Sequence, residues 1–293
     1  MANVPVEVGY CSPAPIASPG FSVRRLLIPR EHGSWGLWLL PLVSGAALGW
    51  SKRSDGSLVA VTWLFVAAAS AFLIHQPFQV WLGRSVLKAR SAAEEHFAMV
   101  ATFILLAVSG LSLIALLLQG RSFVLLLVAL AGGCFFANLL MAGPRKRWLR
   151  ASAQIVGALG LTATSLGAYY AVTVTIDARA ALLWLGSWLF AAAQIAYVQL
   201  RLRTASATSR KQKLRAGWKV GLLHLALPLT AAIAAMSGVV SWMLALAFVP
   251  AAARLVFWAL CPPVRIRVHR LGFTELAQNV IFAALLVAAL VSH

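Results

Sequence analysis

Ile28-Pro29-Arg30-Glu31-His32-Gly33-Ser34-Trp35-Gly36-Leu37-Trp38 runs from a charged tripeptide straight into an apolar segment that ends near Trp50. This is how a helix enters a membrane: charge at the headgroups, tryptophan at the interface, then the roughly 20 apolar residues that cross a hydrocarbon core about 30 Å thick. Glu31 is one of only seven acidic residues in the chain. It shares a helical face with Trp35 and Trp38 through i, i+4 and i+7 spacing. Two readings of that face stay open, an interfacial anchor and a ligand-binding or catalytic entrance.

The rest of the chain repeats the apolar half of the pattern. Hydrophobic residues make up 61% of the 293 and charged residues 11%, with a mean hydropathy of +0.85. A water-soluble fold of this size cannot hide that much apolar surface. Span-length apolar windows fall near residues 33–50, 58–82, 97–118, 122–142, 152–173, 180–200, 217–238, 240–260 and 274–292. An all-α, polytopic transmembrane bundle of about nine helices is expected, as one domain over 29–293. Residues 1–28 contain prolines, Glu7 and no apolar run of signal-peptide length, so they read as a disordered cytoplasmic tail.

Charge orients the bundle. The formal net charge is +18, yet the cations are spread through short loops, the pattern of membrane topology and not of nucleic-acid binding. Twenty of the 25 lysines and arginines fall before the first span or in every second loop after it, seven of them between Arg201 and Lys219. The alternate segments hold only Lys52, Arg53, Arg121 and Arg179, and Arg254 lies inside the eighth span. The expected topology is N-in and C-out, with the basic segment around Arg210 free to lie on anionic lipid.

Polar residues within spans are costly, so their placement carries the functional signal. They gather toward the basic end: Glu31 and His32, then His75, Gln76 and Gln79, then His96, Asn138, Gln154, Gln194, Tyr197, His224, Glu275, Gln278 and Asn279. Gln194, Tyr197 and Arg201 form a stripe at i, i+3, i+7; Glu275, Gln278 and Asn279 form another at i, i+3, i+4. His75 and Gln79 are one turn apart around Pro77, which removes a backbone donor. Stripes of this kind point into a bundle, because lipid offers them no partner. A cavity open to the cytoplasmic side is expected, with Glu31, His75, His224 and Glu275 as candidate acid/base groups. Arg30, His32, Trp35, Gln79, Arg84, Asn138, Tyr197 and Arg201 are the candidate ligand-binding residues. Glu94 and Glu95 are expected at a helix N-terminus, and Arg254 is expected to pair with a neighbouring helix or to snorkel.

Several chemistries have no motif here. The chain contains no GxSxG, HExxH, P-loop or dinucleotide fingerprint, and no paired Asp/Glu clusters for Mg²⁺. Cys11, Cys134 and Cys261 form no CxxC and no metal-spaced group, so neither a disulfide framework nor a protein-bound metal is expected. The cofactor is unknown: His32, His75 and His224 lie on different helices, which leaves a two-histidine haem arrangement open.

The Ile28 to Trp35 motif, leading into a span with Pro41, resembles the signature of the YwiC-like family of bacterial integral membrane proteins. Tyr197-Val198-Gln199-Leu200-Arg201-Leu202-Arg203 and Gly272-Phe273-Thr274-Glu275 are also similar to that family. The resemblance implies a multi-pass protein of the bacterial cytoplasmic (inner) membrane. A more distant resemblance is to UbiA-type prenyltransferases, which imply nine helices, an N-in arrangement and two aspartate-rich Mg²⁺ sites. The matching stretches, His75 to Trp81 and Gln194 to Arg201, contain no aspartate, and Mg²⁺ needs hard oxygen ligands. Together these readings lead to an amphipathic, isoprenoid or lipid-like ligand, with a metal-independent UbiA-like transferase as the catalytic version. The alternatives are a transporter of a small anionic or lipid-like molecule and a non-catalytic membrane partner subunit. The partners expected are the lipid bilayer and such a ligand, with no nucleic acid; oligomeric state is not legible.

Overall fold

The structure, a computed structural model, describes residues 23–27, 32–53, 55–83, 91–142, 147–205, 209–261 and 268–292. All regular elements among them are helical: α1 (Val23–Leu27), α2 (His32–Lys52), α3 (Leu58–Trp81), α4 (Ala92–Leu118), α5 (Val124–Ala142), α6 (Arg147–Thr162), α7 (Thr164–Thr173), α8 (Ala178–Arg203), α9 (Arg210–Met236), α10 (Trp242–Leu260) and α11 (Val268–Val291). Residues 1–22 lie outside the described residues. Val23–Leu27, inside the stretch read as a tail, form a short helix whose Leu26 packs with Val80 and Ala98.

Every expected apolar window coincides with one of these elements, the window 152–173 holding α6 and α7 together. Eight helices among the described residues are long and apolar enough to cross a membrane. The ninth, α2, has the length, but four glycines, three serines and three tryptophans in its 21 residues make it less apolar. The chain is a multi-pass membrane protein. Side-chain oxygens close the helix starts: Ser57, Ser91, Asp177, Ser209 and Ser241 accept from backbone N–H groups of their own first turns, satisfying donors that lipid would leave bare. The turns at Gly120 (φ 76°) and Gly238 (φ 73°) make the tight reversals between α4 and α5 and between α9 and α10.

The centre of the bundle is α7, whose nine residues Ser165 to Thr173 are all buried. Helical pairing breaks at Ala163, where hydroxyls divert the chain: Thr162 donates to the Ala158 carbonyl, and Thr164 donates to Leu161 and, across to α2, to Trp38. Helix α2 lies close against α7 because of Gly45 and Gly49, one turn apart; a Cβ at Gly45 would stand 2.0 Å from the Ser165 carbonyl oxygen. Lipid chains are as apolar as leucine, so backbone approach of this kind drives helix association in membranes. One apolar core joins α8, α10 and α11 around Phe190 and Phe282, stacked 3.9 Å apart. A second joins α2, α3 and α7 around Trp38.

Candidate functional site

Four helices bring their polar stripes together where α8 ends and α9 begins. From α8 come Gln194, Tyr197 and Arg201, from α9 His224, from α10 Arg254, and from α11 Glu275 and Gln278. The Arg254 guanidinium donates to Glu275 Oε1 and lies over the Tyr197 ring, 3.9 Å from its centroid. Arg201 donates to the Tyr197 hydroxyl at 3.4 Å, and the ring of His224 faces that of Tyr197 at 6.1 Å. One turn deeper, Gln278 donates to the Pro250 carbonyl at 3.4 Å. Tyr197, His224, Gln194 and Glu275 are 2%, 1%, 5% and 7% exposed.

Pairing is what lets Arg254 sit here. An arginine at the centre of a spanning helix costs about 2.5–3.5 kcal/mol on insertion scales. Glu275 offsets that charge, and a desolvated cation–π contact adds about 2 kcal/mol. The pairing is nevertheless incomplete. Arg254 Nε and Nη2, Glu275 Oε2, Gln278 Oε1, both amide atoms of Gln194 and His224 Nε2 are buried without a hydrogen-bond partner among the described residues. The His224 Nδ1–H donates to the Val220 carbonyl at 2.9 Å, so in the neutral imidazole Nε2 is a bare acceptor. Buried polar atoms normally have partners, so this cluster is the candidate site among the described residues.

A narrow, half-open crevice with room for about one water molecule begins one turn from these atoms. Its walls are Leu40, Pro41 and Ser44 of α2, Phe190, Ala191 and Ser187 of α8, and Asn279 and Phe282 of α11. Ala191 precedes Gln194 by one turn on α8, and Asn279 follows Glu275 by one turn on α11, so the polar cluster lies above the cleft toward the basic end. Among the described residues, none of those expected to hold a ligand lines the cleft.

The remaining expected residues are placed elsewhere. His75 and Gln79 are bonded to each other at 3.0 Å, and His75 packs edge-on against Phe135. Asn138 donates to the Ala153 carbonyl at 2.6 Å, tying α5 to α6. Trp35 stacks edge-on with Phe72 and tilts against Trp38, which is 1% exposed; these tryptophans pack the core between α2 and α3. His32 opens α2, and Arg30, Glu31 and Arg84 lie outside the described residues. Glu94 and Glu95 stand in the first turn of α4, as expected. Among the described residues no three His, Cys, Asp or Glu side chains group as a metal site.

Arg254, the one charge within its span, pairs with Glu275 of the neighbouring helix α11, the first of its two expected placements. Lys213 is a buried cation whose role was not expected. Lys213 is 3% exposed; it donates to the carbonyls of Trp258 and Cys261 and lies over the Trp258 ring. It thereby closes the C-terminus of α10 from another helix, where positive charge suits the dipole. Its spacing to Gly217, whose missing Cβ makes room for Trp258, was the available clue.

No curated protein and no solved structure matches the chain. Residues 28–169, just under half of the chain, beginning with the Ile28 to Trp35 motif and ending inside the central helix α7, match the family model described as YwiC-like protein, and over that stretch the chain is similar to the YwiC-like family.

Proposed function

We propose that this protein binds an amphipathic, isoprenoid or lipid-like ligand, with its polar head on the Arg254–Glu275–Tyr197–His224 cluster and its chain in the cleft between α2, α8 and α11. The observation that carries the reading is the adjacency of unpartnered buried polar atoms and an apolar cleft, one helical turn apart. A buried apolar groove with a few convergent polar groups is the usual form of a small-molecule site. On the catalytic version of this reading Glu275 and His224 transfer protons, with Glu31 and His75 as the remaining candidates, in a UbiA-like scaffold oriented N-in that works without Mg²⁺. Tyr197 and Arg201 belong to the head-group region; Arg30, His32, Trp35, Gln79, Arg84 and Asn138 stay candidate ligand-binding residues.

Native mass spectrometry of the full-length protein released gently from membranes, with the lipid extract identified in parallel, tests this. A co-purifying isoprenoid or lipid that disappears when Arg254→Met and Glu275→Leu are combined supports the site. An empty protein, or a ligand indifferent to those changes, overturns it. Transport of the same ligand class is the second reading. It is favoured by prolines inside four helices, Pro41, Pro77, Pro228 and Pro250, which weaken backbone pairing where carriers bend. Ligand flux in proteoliposomes separates it from binding alone.

A further inference from the structure

We infer that the head group taken by this cluster is uncharged and carries both a hydrogen-bond acceptor and a donor, as a hydroxyl head on an isoprenoid or acyl chain does, and is not a phosphate or diphosphate. This rests on the ligand-binding reading above and narrows it to one chemical class.

The first argument is the charge already in place. Glu275 neutralises Arg254 by direct contact. Arg201, the next cation, is bonded to the Tyr197 hydroxyl. A phosphate site presents several cations or backbone N–H groups with no acid among them. Here a carboxylate oxygen without a partner, Glu275 Oε2, stands in the cluster itself. Four further cations, Arg210, Lys211, Arg215 and Lys219, are exposed on α9 and not in the cluster.

The second argument is the inventory of unpartnered atoms. Arg254 Nε, Arg254 Nη2 and Gln194 Nε2 are donors; Glu275 Oε2, Gln278 Oε1, Gln194 Oε1 and His224 Nε2 are acceptors. A phosphate dianion offers acceptors only, so it would satisfy the first set and be repelled by the second. A hydroxyl satisfies one of each. Gln194 repeats the demand within a single side chain, since its amide presents a donor and an acceptor side by side with only 5% of the residue exposed. The apolar walls of Leu40, Phe190 and Phe282 below it then receive the chain.

The test uses the full-length protein in zwitterionic nanodiscs and two pairs of probes that share a tail: a C20 prenol with its diphosphate, and dioleoylglycerol with dioleoyl phosphatidate. Binding is read by tryptophan fluorescence. The uncharged member of at least one pair is expected to bind about tenfold tighter than its charged partner, the difference that one buried mismatched hydrogen bond makes. A charged probe that binds equally well or better overturns this inference and leaves the lipid site standing. Binding of no probe overturns both.

Gln194→Leu is the diagnostic variant. It is expected to weaken binding of the uncharged probe about tenfold while leaving the thermal midpoint unchanged or higher, because it removes a buried unpartnered amide. A lower midpoint with unchanged binding makes Gln194 structural and overturns the assignment. Gln278→Met carries the same expectation from the neighbouring helix and decides the matter if the first variant fails to fold.

Discussion

Two ion pairs sit at opposite ends of α8, whose 26 residues span about 39 Å, and they differ in everything except their charges. At the start of α8, Asp177 Oδ1 accepts from the Ala180 N–H at 3.0 Å and Oδ2 from the Tyr169 hydroxyl at 2.8 Å and from Lys52. Both oxygens are used, the side chains of Lys52 and Asp177 are 35% and 32% exposed, and one residue caps α8 while tying it to α2 and α7. At the far end, Arg254 and Glu275 are 12% and 9% exposed and still have atoms without partners. A saturated, half-wet pair is a staple; an unsaturated, buried one is costly to keep.

Cutting each pair on one side is the strongest way to separate them. Glu275→Leu leaves Arg254 charged and alone inside the bundle and is expected to cost about 3–5 kcal/mol. Detergent-solubilised protein should show this as a lowered unfolding midpoint or lost expression. Adding Arg254→Met to the same chain should recover most of that loss, since replacing a buried pair with apolar groups is often neutral or stabilising. Ligand binding should stay lost in the double variant. If the double variant remains as unstable as the single one, the pair is a structural element and the contrast with Asp177 disappears.

Asp177→Asn should cost less, about 1–2 kcal/mol, because the cap is weakened and the pair removed while water still reaches the site. Its effect on ligand binding should be nil, measured with the same native mass-spectrometric readout. Any loss of ligand there would mean that the two ends of α8 are coupled.

The smallest effect is electrostatic. Burial pushes the Asp177 carboxyl up, but Lys52, the Ala180 N–H and the Tyr169 hydroxyl together hold it below its ordinary value of 3.8. The Lys52 ammonium is raised above 10.5 by its hydrogen bond to Asp177, against the opposing effect of burial. A depressed carboxyl contributes stability that is present above 3.8 and lost as pH falls through the folded value. A raised ammonium contributes stability that is present below 10.5 and lost as pH rises through its folded value. Lys52→Met should therefore lower stability by about 0.5 kcal/mol across the pH range between, and the gap to the parent protein should close outside it. A gap that persists below the folded value of the Asp177 carboxyl would assign the effect to packing of the lysine stem instead.

Much of the architecture was legible. The apolar windows coincide with the helices because span length is set by membrane thickness, a constraint that acts on each segment separately. The stripes of Gln194, Tyr197 and Arg201 and of Glu275 and Gln278 face inward as their spacing required, and His224 joins them. Asn138 and the His75–Gln79 pair had the same kind of spacing and depth, yet Asn138 bonds a backbone carbonyl and His75 bonds its own helix neighbour. Periodicity names the face of a helix and says nothing about which helix opposes it. The GxxxG spacing of Gly45 and Gly49, visible in the chain, would have identified α7 as the partner of α2 only to a reader who already knew what lay across from it.

By itself, then, the amino-acid sequence determined that the chain is helical, how many apolar segments it has and which residues of each turn away from lipid, because hydrogen bonding and transfer free energy act locally along every helix. Only the tertiary structure decided which of those polar residues are consumed as structural bonds and which are left in want of a partner. That outcome depends on the distances between atoms on different helices, such as Arg254 to Glu275 and Asn138 to Ala153. Those distances are set by close backbone crossings like that at Gly45, where the deciding quantity is shape and not composition.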